Sequence, residues 1–213
     1  MRLPWFLLLL SGLAQAAPPL PDIEGWQDYQ AGRWQQARDR FQRAAADGNR
    51  VAAFNLAIMH WRGESVPVNR DKAIHWLRVA ADRHLPQAQY ALGLLYENGD
   101  GVPRSQPQAT HWFMRAALQG HRVAQLDLGT QYYLGRGVKQ DLRMAAYWYQ
   151  QAAEQGDAGA QYLIASMYEH GDGISQDLES AIRWYARAGV QGDVAASLKA
   201  IALARRISPS PSP

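Results

Sequence analysis

A step of 36 residues carries this chain onto itself. Ala52, Ala88, Ala124, Ala160 and Ala196 share one register, and Gly63, Gly99, Gly135 and Gly171 share another. In the second half of each period Ala73, Ala109, Ala145 and Ala181 align, as do Trp76, Trp112, Trp148 and Trp184. No insertion interrupts the four periods, and four of the eight tryptophans occupy one position in them. A fixed period of roughly 20 to 50 residues belongs to chains built from stacked supersecondary units, each too small to bury its apolar face alone. That restricts the fold to an array.

Each period reads as two helices. In the second period the first helix is expected near Pro86 to Glu97 and the second from about Pro107 to Gln119. Ala109, Trp112, Phe113, Ala116 and Ala117 of the latter follow the i, i+3, i+4, i+7, i+8 spacing of one helical face. Asp141 and Asp177 stand four residues before the second-helix alanine of their periods, where an N-cap belongs. Gly120, Gly156 and Gly192 fit left-handed C-caps. The turn YENGDGV at 96–102 recurs as YYLGRGV and YEHGDGI, so the Asp100 slot becomes Arg136 and then Asp172. A calcium loop does not exchange an oxygen ligand for a cation, so Asp100 reads as a solvated loop residue and no metal site is expected. The tryptophan column lies beside the small alanines of the second helix and reads as core, with stacking of sugars or aromatic ligands as the alternative. On the core reading Trp112→Ala is expected to cost about 3–5 kcal/mol.

Outside the four periods the pattern loosens. Ala37, Ala44, Ala45 and Gly48 lie one period before Ala73, Ala80, Ala81 and His84, but Arg40 replaces the tryptophan and the interhelix loop is compressed. Residues 25–48 therefore read as a short helix pair, 49–192 as four full periods, and 193–207 as a lone closing helix. The tail SPSPSP at 208–213 is expected to be disordered. The first 16 residues, MRLPWFLLLLSGLAQA, combine Arg2, a short apolar run and an Ala14-Gln15-Ala16 cleavage pattern, and are read as a removed export signal followed by a flexible segment at 17–24. The expected location is periplasmic or secreted, with no membrane anchor after cleavage. The chain has no cysteine, which excludes a lipid-modified cysteine and leaves stability to packing.

The stretches AQYALGLLYENGDGV, ATHWFMRAALQG and AAYWYQQAAEQGDAGAQYLIASMYEHGDGI resemble the Sel-one-like repeats, a subclass of tetratricopeptide-like solenoids. The resemblance covers about 50–192 well and 25–48 loosely, the latter looking more like a tetratricopeptide unit. It implies an all-α fold, a right-handed superhelical αα-hairpin solenoid of about five helix pairs, acting as an adaptor for protein partners. Exported bacterial members look like envelope, secretion or signalling scaffolds. One cysteine-rich branch has been linked to β-lactam binding, and the absence of cysteine here sets this chain apart from it.

The residues themselves support no catalytic assignment. There is no G-x-S-x-G, S-x-x-K or H-E-x-x-H and no Cys nucleophile, so no enzyme, cofactor or metal is expected. Among the six histidines, His60 takes the slot of Tyr96, Tyr132 and Tyr168, and His84 that of Gly120 and Gly156, which is drift between repeats. The formal charge is only +3 with scattered basic residues, which argues against nucleic acid. What varies between repeats should carry partner choice. A mixed first-helix strip includes Asn55, Arg62, Asn98, Asp127, Thr130, Ser166 and His170, with a neighbouring column of Trp61, Glu97, Tyr133 and Glu169. It is read either as a groove for a protein or peptide, with Trp61 and Tyr133 as aromatic anchors, or as a solvated or inter-repeat contact face. A module binding an envelope polymer such as peptidoglycan or an exopolysaccharide is the alternative function, with a hydrolase such as a β-lactam-acting enzyme ranked behind it. Partner identity and oligomeric state stay open.

Overall fold

A computed structural model describes residues 25–207. Those residues form eleven α-helices: α1 (Trp26–Gln30), α2 (Trp34–Ala46), α3 (Arg50–Arg62), α4 (Arg70–Asp82), α5 (Pro86–Asn98), α6 (Gln106–Ala117), α7 (Arg122–Leu134), α8 (Leu142–Glu154), α9 (Ala158–His170), α10 (Leu178–Val190) and α11 (Val194–Ile207). They divide into two compact units, one running to Leu95 with Gly99–Pro103, the other comprising Tyr96–Asn98 and the chain from Arg104 onward. The expected export signal, the segment 17–24 and the tail 208–213 lie outside the described residues.

Local chemistry sets the helix ends. Asp141 accepts hydrogen bonds from the amides of Arg143 and Met144, and Asp177 from that of Ser180, so both are the expected N-caps. The helix expected at 107–119 begins at Gln106, because the Ser105 hydroxyl accepts the Gln108 amide and seats Pro107 in the first turn. First helices end at Gly63, Gly99, Gly135 and Gly171, each with a left-handed backbone. His84 adopts the same conformation (φ 60) in the slot of Gly120 and Gly156, so histidine drift there retains the repeat's backbone.

The second glycine of the G-x-G turn has a further task. A Cβ on Gly137 would collide with the backbone carbonyl of Gln106, and one on Gly173 with that of Leu142. The turn therefore packs backbone to backbone on the start of the second helix of the preceding repeat, a contact that only glycine admits.

In the first unit, α2 packs on α3 and α3 on α4. Arg40, in the tryptophan slot, instead meets the buried carboxylate of Asp28 (3.2 Å), which Arg33 also holds at 2.6 Å. The departure from the repeat at Arg40 thus supports a charge cluster closing the short α1–α2 pair.

In the second unit each first helix uses two faces. On α9, Ala160, Ile164 and Met167 pack back against Ala145, Ala146, Tyr149, Ala152 and Ala153 of α8. Ala165 and Tyr162 pack forward against α10, where Ala181, Tyr185 and Ala188 lie, with the Tyr162 and Tyr185 rings 5.2 Å apart. Gly129 of α7 lies under the Tyr149 ring of α8 in the equivalent place. Polar side chains complete the joints. Gln125 donates to the carbonyl of Ala117 and Gln161 to that of Ala153, as Gln89 does to that of Ala81 in the first unit, each satisfying a carbonyl in the last turn of the preceding helix. Gln155 and Gln191 in turn donate to the side-chain oxygens of Gln125 and Gln161.

The core column is displaced by one residue from the expected one. Leu77, Phe113, Tyr149 and Tyr185 are buried, whereas Trp76, Trp112 and Trp184 are half-buried and only Trp148 of that column is enclosed. The indole lies at the margin of the helix pair, where the Arg115 guanidinium covers Trp112 at 4.7 Å and Arg187 covers Trp184 at 4.6 Å.

Candidate interaction face

The strip of first-helix residues divides between the two units. In the first unit Asn55 is 6% exposed, with its amide nitrogen buried and unbonded, so it belongs to the interior and not to an open strip. Trp61 is half-buried, and the Arg70 guanidinium stacks on its ring at 3.7 Å. Arg62 donates to the Tyr29 hydroxyl (3.2 Å) and to Glu64 (3.3 Å). Burial, then the Glu64 carboxylate, pushes the Tyr29 phenol up to about 12. The three residues are held together by α3, but their polar groups are largely engaged within the unit.

In the second unit the acidic members of the column are structural. The Glu97 carboxylate accepts from Gln131 at 2.9 Å. Glu169 accepts from the Tyr185 hydroxyl and from Lys199, both at 2.8 Å, which ties α9 to α10 and α11. Burial acts to raise the Glu169 carboxyl, but the hydrogen bonds from Lys199 and Tyr185 outweigh it and hold the group below its ordinary value. Burial and the bond to Glu169 push the Tyr185 phenol up to about 12. Thr130 donates to the Leu126 carbonyl and accepts from Tyr149. Asp127 and Ser166 are half-buried, Ser166 offering its carbonyl to the His170 ring nitrogen at 2.8 Å. Asn98, Tyr133 (39% exposed) and His170 remain open, near the C-terminal ends of α5, α7 and α9.

Residues that sequence reasoning passed over tie this face together. Lys199 lies on the closing helix, and its partner Glu169 is 30 positions away, so periodicity carried no sign of the pair. The glutamine joints left a trace, since Gln89, Gln125 and Gln161 share one register. Glutamine ordinarily reads as exposed, and its role depends on a carbonyl supplied by another helix.

His121 illustrates a site the repeat marks as unusual. Its ring nitrogen Nδ1 accepts the Ala124 amide as the N-cap of α7, at the position of Asn49, Asp157 and Asp193. Burial, aided by the Arg122 charge, lowers its pKa from 6.5 to about 4. The unfolded chain therefore takes up the proton first as pH falls. The stability held by the neutral cap is intact above pH 6.5 and drains away between there and about 4. Urea unfolding at pH 7 and pH 5 should show a loss of about 1–2 kcal/mol attributable to this site, and His121→Asp should abolish it. An equal pH dependence in the variant would place the titration elsewhere.

Among the described residues no three His, Cys, Asp or Glu side chains are grouped so as to hold a metal ion, and no helix is long and apolar enough to cross a membrane. Repeated hairpins, small-residue joints and a variable first-helix face define an all-α helical-hairpin solenoid protein. The family model described as Sel1 repeat matches residues 50–84, 86–121, 122–157 and 158–193, and the chain belongs to that family. It is 35% identical to the Sel1 repeat protein from Oxalobacter formigenes, over 80% of this chain and 50% of that one, with a TM-score of 0.73. It is 29% identical to c5321, a protective antigen present in uropathogenic Escherichia coli strains displaying an SLR fold, over 98% of this chain and 42% of that one, with a TM-score of 0.76. The chain thus spans half or less of the length of these two structures. No curated protein matches it. Sel1 repeat proteins generally mediate protein–protein interaction and are generally non-catalytic.

Proposed function

We propose that this chain is an exported, non-catalytic adaptor that holds a protein or peptide partner on the first-helix face of its repeats, in an envelope, secretion or signalling assembly. The observation that carries the reading is the division of labour on that face. Glu97, Thr130 and Glu169 are consumed by internal hydrogen bonds, while Asn98, Tyr133 and the His170 ring, held at Nδ1 by the Ser166 carbonyl, stay exposed near the C-terminal ends of α5, α7 and α9. A half-exposed tyrosine suits an interface, where an aromatic ring gives contact area at small entropic cost. Removal of residues 1–16 would deliver the adaptor to the periplasm or beyond.

The test is a cross-linking capture from an envelope extract with the native chain beside an Asn98→Ala, Tyr133→Ala, His170→Ala variant. A protein recovered by the first and lost from the second, with helicity and melting unchanged, is the expected result. Asn55 is left intact because its burial would confound binding with folding. Equal capture by both chains would move binding off this face. Sedimentation with insoluble cell-wall polymer and no protein partner would replace the adaptor by a polymer-binding module. The native chain's own N-terminus, read by mass spectrometry, should be Ala17, and an intact Met1 would overturn export.

A further inference from the structure

The last described helix, α11, carries a face that no other described helix covers. It follows the repeat at its back, where Ala196, Ala200 and Leu203 pack against α10 as Ala160, Ile164 and Met167 of α9 pack against α8. Among the described residues its forward face has no such cover. Leu198 and Ile201 occupy the registers of Tyr162 and Ala165, which on α9 meet α10, yet they are 64% and 50% exposed, and Val194 one turn earlier is 71% exposed. A solvent-exposed helix face is ordinarily polar. This one shows Val194, Leu198, Ile201 and Arg205 at 4, 3, 4 spacing, the seam of a coiled coil, with exposed Ala195 and Ala202 alongside allowing close approach.

We infer that this face is an interface for a second copy of the chain, with the two α11 helices packed antiparallel about a two-fold axis. Three features favour that occupant. The face continues the joint by which every complete repeat of the second unit binds a helix, so its shape and apolar character already suit one. The residue in the slot of Gly129 and Ala165 is here Ile201, too large to receive an aromatic ring as those positions do, but able to lie between small residues. In an antiparallel pair Leu198 meets Ile201 of the second copy, and the flanking alanines supply those small residues. Charge selects the orientation. Arg205 and Arg206 end α11 and Asp193 begins it. An antiparallel pair sets the arginines of each helix beside Asp193 of the other and opposes the helix dipoles, whereas a parallel pair would gather four arginines at one end. A closed two-fold contact of this kind consumes the exposed seam and leaves no edge for further growth.

The inference is independent of what the first-helix face binds. Analytical ultracentrifugation of the purified chain should show a monomer–dimer equilibrium that vanishes in a Leu198→Lys, Ile201→Lys variant and persists in Val190→Lys, which alters an exposed residue of α10 off the seam. Because the chain has no cysteine, orientation can be read directly. Val194→Cys and Arg205→Cys, prepared separately and oxidised after mixing, should cross-link with each other in preference to themselves. A chain that is monomeric at all concentrations, a dimer that survives the lysine pair, or Val194→Cys joining chiefly to itself would overturn the proposal.

Discussion

Gly173→Ala should destabilise the chain by about 3 kcal/mol or more, against about 1–2 kcal/mol for Gly156→Ala. Both glycines have positive φ, 70° and 88°, so both substitutions incur the cost of placing an L side chain in left-handed backbone. They differ in what the new methyl meets. At Gly156 nothing lies within 4 Å. At Gly173 it would overlap the backbone carbonyl of Leu142, which cannot swing aside as a side chain can without disturbing the first turn of α8. The difference between the two urea midpoints isolates the close approach from the conformational term. Equal shifts would mean that the G-x-G turn is held only by its own backbone and that the packing between repeats yields.

The second large effect separates two neighbouring residues. Phe113→Ala should cost about 3–5 kcal/mol, the range for truncating an enclosed aromatic, because its ring is 0% exposed. Trp112→Ala should cost about 1–2 kcal/mol, since its ring is half-buried and a share of its contact is with the Arg115 guanidinium at the surface. Equilibrium unfolding of both variants decides the order, and a larger loss at Trp112 would return the tryptophan column to the core. The conspicuous residue of the repeat is thus not its most buried one. The fully enclosed column is Leu77, Phe113, Tyr149 and Tyr185, which looked less regular because four different contexts tolerate three residue types of similar bulk.

Periodicity located both columns on one helical face, but it could not say which of two adjacent residues points at the neighbouring helix and which at its edge. That depends on the rotation of the second helix about its axis, set by how Gly129 and Ala165 admit the tyrosine rings of Tyr149 and Tyr185. Asn55 failed as a surface residue for a related reason. It shares a strip with Asp127, which stays half-buried, but it lies on α3, whose residues from Ala52 to His60 are all buried.

Much of the architecture was legible without coordinates: the helix pairs, their 36-residue spacing, the aspartate N-caps and the left-handed glycines Gly120, Gly156 and Gly192 that follow the second helices. These are local matters, because a cap or a left-handed turn is settled among residues three or four apart. Only the tertiary structure decided which polar groups of the first-helix face are open. Glu97 is committed to Gln131, 34 residues on, and Glu169 to Tyr185 and Lys199, 16 and 30 residues on, whereas Tyr133 keeps an exposed ring. The side chains alone do not distinguish an available carboxylate from one already spent, since that depends on which donor the next repeat happens to place within about 3 Å.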